Sequence, residues 1–220
     1  MSVLKKPAVK IVLTALAGLA AAVIYDLLNM RDFRTQSYHD WSRYSFLGLF
    51  LQMYAGWAVI ECVISYKSKT PVRAAVYCFV FTLFSQPGER IFEWAFSGFS
   101  NYTPFHDIWY YVIASFLTAP CGWLVWHVRK KSVLGGVAAA VPALGILIFG
   151  VTSFLAANRP VMWHFPSESG SGLFSAKEIP ATLYTRINYV AVGLIFVGFA
   201  VWWVSVFLRK PKDKPAAEVL

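Results

Sequence analysis

Residues 133–156 read VLGGVAAAVPALGILIFGVTSFLA and contain no charged side chain. An α-helix needs roughly 20 mainly apolar residues to cross the hydrocarbon core of a bilayer, and this run is long enough. Five other stretches of the chain are comparably long and mainly apolar. The sequence therefore predicts six membrane-spanning helices, at about residues 8–28, 44–66, 72–97, 107–128, 133–156 and 185–208.

The composition supports a membrane protein and excludes two other classes. Hydrophobic residues make up 58% of the chain and charged residues 14%, against roughly 25% charged in soluble domains. An aromatic content of 17% is too high for a disordered chain. Cys62, Cys78 and Cys121 stand singly in apolar runs, which predicts small buried residues and no disulfide framework or zinc site. The predicted fold class is all-α, a polytopic integral membrane helix bundle.

The distribution of basic residues predicts the orientation. With the N-terminus inside, 13 of the 20 Lys and Arg residues fall in the inner segments 5–10, 67–73, 129–131 and 209–214. Inner loops are richer in Lys and Arg, so both termini are expected on the cytoplasmic side of the inner membrane. Residues 1–208 form one transmembrane domain with outer segments at 29–43 and 157–184, followed by a basic tail at 209–220. The net charge of +9 thus reports topology, and no nucleic-acid partner is expected.

The third predicted span carries three ionisable residues within five positions, Glu89, Arg90 and Glu93. Ionisable groups inside a span are costly and indicate a functional site by default. Glu89 and Glu93 share a helix face, and Pro87 is expected to kink the helix and open a polar pocket. We take these three as candidate catalytic residues; a purely structural buried ion pair is the alternative. Glu61, near an inner helix end, is expected to snorkel or cap locally.

Other polar groups fall at the same predicted level. Asp26 closes the first span, Asp32 and Asp40 follow it, and 106–107 open the fourth, so they could converge on one outward-facing site. In the first span, Ala17-x-x-x-Ala21 and Gly18-x-x-x-Ala22 repeat small residues at a spacing that permits close helix contact, within the chain or with another subunit.

The order of these landmarks resembles the A subunit of the copper membrane monooxygenases, over about residues 10–210. In that family an early span ends in an acidic, aromatic outer segment, and a later span ends in a polar pair that leads to a proline. The matching pieces here are Asn29-Met30-Arg31-Asp32-Phe33, His39-Asp40-Trp41, the basic turn 67–73, Gly88-Glu89, the stretch from Phe96 to Pro104, and the outer segment Asn158–Pro180. This chain is shorter than many members, and Arg90 after Glu89 departs from the pattern.

The resemblance implies a subunit of a complex that oxidises ammonia, methane or short hydrocarbons. Such a complex joins A-, B- and C-type subunits, often as a trimer of heterotrimers, with copper held mainly by the other two subunits. Met30, Asp32 and Glu89 resemble positions proposed to bind metal in the A subunit, and are weak candidate copper ligands.

Two other functions fit the same residues. A stand-alone small-solute transporter or binding protein would use the intramembrane carboxylates and aromatic residues to hold a cationic or aromatic solute. A membrane enzyme acting on a lipid or isoprenoid would use Glu89 or Glu93 as a general acid.

Overall fold

The computed structural model describes residues 7–29, 31–32, 37–38, 45–96, 105–158, 161–164, 175–178 and 183–209. Seven α-helices account for most of this part of the chain. They are α1 Pro7–Asn29, α2 Phe46–Gln52, α3 Tyr54–Lys67, α4 Pro71–Phe96, α5 Phe105–Trp126, α6 Val133–Asn158 and α7 Leu183–Leu208, with a 3-10 turn at His127–Arg129 after α5.

Each predicted span coincides with helix, and the helical fold class is confirmed. The second span differs, because α2 and α3 meet at Met53 with a bend of 83°. Ser45 caps α2 by accepting a hydrogen bond from the Gly48 amide at 3.1 Å. A side chain at Gly56 would overlap the carbonyl oxygen of Phe50, so the bend needs glycine there. The apolar pattern indicated one helix and gave no sign of this break.

Two short strand pairs lie in the segments predicted to be outside the membrane. β1 (Arg31–Asp32) pairs antiparallel with β2 (Ser37–Tyr38), in the register Arg31 opposite Tyr38. β3 (Val161–His164) pairs antiparallel with β4 (Ser175–Glu178), in the register Val161 opposite Glu178. These strands were not predicted from the sequence, and they are short additions to a helical protein.

Several helices are suited to crossing a membrane. Within the described residues, α1, α6, α7 and the span Tyr111–Arg129 are long and apolar enough, and the bent α2–α3 pair would make a fifth crossing. Helix α4 is long but falls outside this group, because it contains Arg73, Gln86, Glu89, Arg90 and Glu93. The described helices are therefore compatible with a multi-pass membrane protein.

The helices pack as two units joined through α3. One unit stacks α1, α4 and α5; the other pairs α6 with α7; α3 contacts α4, α5, α6 and α7. The largest buried side chains of the second unit are Trp203, Tyr189 and Phe196. The Trp203 indole Nε1 donates to the carbonyl oxygen of Ala138 at 3.0 Å, so its polar atom is satisfied inside the core. Of the three thiols, Cys62 and Cys78 are buried as predicted, whereas Cys121 is exposed.

Helix α1 meets α4 through its small residues. Gly18 and Ala22 are buried, whereas Ala17 is exposed. A Cβ at position 18 would lie 2.6 Å from the carbonyl oxygen of Phe81, and one at position 88 would lie 3.5 Å from the Ala22 Cβ. Of the two small-residue patterns in α1, Gly18-x-x-x-Ala22 therefore makes the close contact, and it does so within the chain. The two helices run in the same direction.

This contact predicts opposite effects for two glycine-to-alanine changes. Gly18→Ala should lower the free energy of unfolding by about 1–3 kcal/mol, because the new methyl group must push α1 away from α4. Gly145→Ala in α6 is the matched control: nothing lies within 4 Å of its added Cβ. It should be neutral or stabilise by up to about 1 kcal/mol through helix propensity. Unfolding curves in detergent measure both; equal effects would contradict the close contact.

Candidate functional site

One face of α4 is polar and buried. Cys78, Thr82, Ser85 and Glu89 are spaced four, three and four residues apart, so they share a helix face. We call these four residues the α4 polar stripe. Thr82 and Glu89 are each 8% exposed, and Cys78 and Ser85 are fully buried. The stripe extends about 16 Å along the helix at 1.5 Å per residue.

A glutamate from another helix binds the middle of this stripe. The Thr82 hydroxyl Oγ1 donates to the carboxyl Oε1 of Glu61 in α3 at 2.7 Å. Glu61 lies about 9 Å along α3 from Lys67, and Thr82 about 16 Å along α4 from Pro71, at 1.5 Å per residue. The pair is therefore well inside the apolar bundle. The expectation that Glu61 snorkels to the surface or caps its own helix was wrong, because α4 supplies a closer hydrogen-bond partner.

Thr82 has a second acceptor. Its Oγ1 also lies 3.0 Å from the carbonyl oxygen of Cys78. A threonine hydroxyl has one hydrogen and two lone pairs, so it donates to only one of the two acceptors at full strength. When it donates to the Cys78 carbonyl, its lone pair can accept a hydrogen bond from a protonated Glu61. Both protonation states of Glu61 thus have a satisfied arrangement in the same geometry.

The inner part of the stripe is closed by neighbouring helices. The Cys78 Sγ lies 3.2 Å from the hydroxyl of Ser65 in α3, and it donates to the Glu61 carbonyl oxygen at 3.6 Å. A Cβ at Gly122 of α5 would lie 2.8 Å from the Cys78 Sγ. Helices α3 and α5 therefore enclose Cys78 and keep its polar contacts away from the surface of the bundle.

Two buried carboxyl groups lie toward the other end of α4. Gly88, next to Glu89, faces Ala22 of α1, and Asp26 lies one turn beyond Ala22 on the same face. Asp26 is buried, as is Glu89. The sequence predicts that Asp26 lies near polar residues of the third span. Asp26 and Glu89 do lie at the same end of the α1–α4 interface.

Tyr77 adds a further buried polar atom to α4. Its ring is 7% exposed, and its hydroxyl has no hydrogen-bond partner among the described residues. Tyr77 therefore adds a buried polar atom to α4, one residue before the polar stripe begins at Cys78.

The other predicted site residues are placed only in part. Arg90 and Glu93 lie on α4, which continues as helix through Pro87, but their side chains are outside the described part. Asp32 is in β1, again with its side chain outside the described part. Met30 and Asp40 lie outside the described residues altogether. Of the candidate catalytic and metal-binding residues, Glu89 alone is placed with its side chain.

Of the candidate copper ligands Met30, Asp32 and Glu89, only Glu89 has a described side chain. Among the described residues, no group of three or more His, Cys, Asp or Glu side chains is placed to hold a metal ion. Carboxylates on their own suit hard ions better than copper, which prefers imidazole and sulfur ligands. Copper at Met30, Asp32 and Glu89 therefore stays a prediction.

No functional role was predicted from the sequence for Glu61. The available signal was an acidic residue in an otherwise apolar helix that runs from Tyr54 to Lys67. Thr82 and Ser85 at helical spacing on the next span were a second signal. Connecting them needs the antiparallel packing of α3 on α4, which local patterns do not specify.

Comparison of the chain with protein-family models, curated proteins and solved structures finds no match to any of them.

The Glu61–Thr82 contact can be measured by a double-mutant cycle. Thr82→Val removes the hydroxyl at nearly constant volume and should lower the free energy of unfolding by about 0.5–2 kcal/mol, the range of side-chain hydrogen bonds in membranes. Most of that loss should disappear in the Glu61→Leu background, which has no side-chain acceptor for the Thr82 hydroxyl, if the pair is coupled. Thr82→Ser should retain stability.

Thr118→Val is the matched control for this cycle. Thr118 Oγ1 donates only to a backbone oxygen of its own helix, that of Ser115, at 2.7 Å. It should show no coupling to Glu61→Leu. Additive effects of Thr82→Val and Glu61→Leu would contradict the contact.

Proposed function

We propose that this protein is a small-solute transporter or solute-binding protein of the membrane, in which buried carboxylates hold a proton or a small cation. The observation that carries the proposal is the contact between Glu61 and Thr82 at 2.7 Å within an apolar bundle. Two buried carboxyl groups, Glu89 on α4 and Asp26 on α1, lie farther along α4, at the end of its contact with α1.

The energetic cost of these groups supports a role beyond packing. An acidic side chain near the bilayer centre costs about 2.5–3.5 kcal/mol on insertion scales. A single hydrogen bond to Thr82 offsets only part of that cost. Described residues provide no Lys or Arg ion pair to Glu61 that would explain it as a structural bridge. A carboxyl group kept under these conditions is suited to bind a proton or a cation that arrives from water.

The chemistry at Glu61 is reversible protonation. As a carboxylate, Glu61 accepts from the Thr82 hydroxyl. As an acid, it donates to Thr82 Oγ1, while the hydroxyl turns to the Cys78 carbonyl. The Ser85 hydroxyl, which donates to the Thr82 carbonyl at 3.3 Å, continues the polar stripe toward Glu89. A proton or a small cation can exchange along this face with hydroxyl and carboxyl groups as successive partners.

Proton flux into proteoliposomes tests this role. Purified full-length protein is reconstituted with a pH-sensitive dye inside, and a potential is imposed with potassium and valinomycin, with tetraphenylphosphonium as the cationic probe. We expect protein-dependent acidification and, in detergent, tetraphenylphosphonium binding to the protein, both reduced at least tenfold in Glu61→Gln, because the amide cannot ionise. Thr82→Ser should retain most of the flux, because the hydroxyl remains.

Glu178→Gln is the control for loss of a carboxylate, since Glu178 lies in β4 and belongs to neither α3 nor α4, the helices that carry Glu61 and Thr82. It should leave the flux unchanged. Flux and tetraphenylphosphonium binding that are equal in wild type and Glu61→Gln, with both proteins folded, would refute the proposal.

The proposed topology has six crossings, with α2–α3 and α4 as the second and third, and both termini in the cytoplasm. It is supported by the basic residues in the turns after α3 and α5. Reporter fusions give the check: a fusion after residue 220 should be active only as a cytoplasmic reporter, and one near residue 170 only as an external reporter. The opposite pattern would reverse the orientation.

A copper monooxygenase A-type subunit is the second proposal, supported by the resemblance over residues 10–210. Helix α1 lies at the edge of the bundle and leaves Val12, Leu16 and Leu27 exposed, which gives room for neighbouring subunits. Purification from native membranes should then bring down B- and C-type subunits together with copper. A monodisperse single chain that conducts protons favours the first proposal.

A further inference from the structure

Cationic side chains collect at the end of the bundle where α3 turns into α4 and α5 into α6. Among the described residues, no acidic side chain lies in these turns or in the adjoining helix ends; the nearest along the chain is Glu61, inside α3. We call this surface the basic end, which consists of Lys67, Lys69, Arg73, Arg129, Lys130, Lys131 and Arg209.

Aromatic contacts hold one side of the basic end in place. The Arg129 guanidinium lies 4.9 Å from the ring centre of Tyr66, and the Lys130 ammonium 5.2 Å from that of Trp126. The Trp126 indole Nε1 donates to the carbonyl oxygen of Ser68 at 3.0 Å, which joins the α5 end to the α3–α4 turn. These cations are therefore fixed on a shared surface and are more ordered than free loop side chains.

The other side of the basic end is fixed by α7. The Lys131 ammonium donates to the carbonyl oxygen of Phe207 and lies 4.7 Å from its ring centre. The ring of Tyr66 packs edge-on against Trp202 at 5.7 Å. Helices α3, α5, α6 and α7 thus meet at one cluster, with Lys67, Lys69, Arg129 and Lys130 exposed around it.

An exposed apolar stripe begins next to this positive surface. Val133 is 87% exposed and lies two residues after Lys131, and further exposed apolar residues follow at three- and four-residue spacing along the same face of α6. The stripe comprises Val133, Val137, Val141, Leu144 and Ile148. Because the stripe begins beside the basic end, one ligand can contact both the cations and the exposed apolar side chains.

We propose that the basic end and this α6 stripe form a binding site for an anionic phospholipid. Its phosphate contacts the exposed cations Lys67, Lys69 and Lys130, and an acyl chain lies along the α6 stripe. Basic pockets between helix ends at the cytoplasmic side bind such headgroups by charge.

The apolar stripe distinguishes a lipid from other anions. A soluble phosphate or a nucleic acid uses the cations but gains nothing from exposed valine and leucine side chains. A zwitterionic lipid uses the stripe but has no net charge for seven cations. Only an anionic amphiphile uses both surfaces, so the site selects for net charge and for hydrocarbon together.

Lipid titration of the delipidated full-length protein in mild detergent tests the site. Phosphatidylglycerol and cardiolipin should raise the thermal unfolding midpoint saturably and remain bound in native mass spectra, and phosphatidylcholine should not. Each neutralised cation should weaken the apparent affinity by about fivefold. The triple variant Lys67→Gln/Lys69→Gln/Lys130→Gln should therefore lose about a hundredfold.

A charge-matched control comes from the opposite end of the bundle. Arg31→Gln/Lys177→Gln/Arg186→Gln removes the same net charge, and it should bind both anionic lipids as the wild type does. Unfolding midpoints without lipid show whether each variant is folded, and Arg129→Lys, which keeps the charge, should bind normally.

Four outcomes would overturn the proposal. The first is binding of phosphatidylcholine as tight as that of the anionic lipids, and the second is an equal affinity for glycerol 3-phosphate or pyrophosphate. The third is an unchanged affinity for anionic lipid in a folded triple variant. The fourth is loss of a copurifying acidic protein from that variant while its lipid affinity stays constant. The last would assign the basic end to a protein partner. None of them depends on Glu61, so proton flux and lipid binding can fail separately.

Discussion

Several of the described helices are long and apolar enough for a bilayer, which offers no water to unpaired polar groups, and the hydrogen bonds of the bundle meet this constraint. Backbone amides and carbonyls have to be satisfied within each segment, so the long apolar stretches become helices. Side-chain polar atoms face the same requirement. The Trp203 indole, the Ser153 hydroxyl and the Trp126 indole each reach a carbonyl oxygen of the chain. In a solvent without hydrogen-bonding capacity, these local solutions are needed before helices can pack at all.

The need to satisfy buried polar groups is greatest at helix α4, and it explains why other helices surround α4 in the bundle. Its polar face cannot be turned to lipid, so it is covered by α1, α3 and α5. The cover depends on small residues at the contacts, Gly18 on α1 and Gly122 on α5, which let backbones come close. Within this enclosure, Glu61 of α3 accepts a hydrogen bond from Thr82 of α4. The proposed proton chemistry depends on this enclosure.

Helix α3 joins the two regions to which we assign functions. Its residues Glu61 and Ser65 face α4 and contact Thr82 and Cys78. Tyr66, one residue on, points to a different side and contacts Arg129 and the rings of α7. One helix thus lines the polar stripe with one face and supports the basic end with another. A shift of α3 would change the contacts at both the polar stripe and the basic end, although the two proposals rest on separate contacts.

The sequence by itself determined most of the helical stretches and the charge asymmetry, because each depends on residues near one another in the chain. A long run without charge must be helical in hydrocarbon, and Thr70 before Pro71 is a local start signal, with the Arg73 amide donating to the Thr70 hydroxyl. Glu89 was found for the same reason, since a charge in an apolar run is visible without a partner. The pairing of Glu61 with Thr82, 21 residues apart, was settled only by packing. The break at Met53 and the choice of Gly18 over Ala17 also came from packing, because side-chain surroundings depend on which helices meet and at what distance.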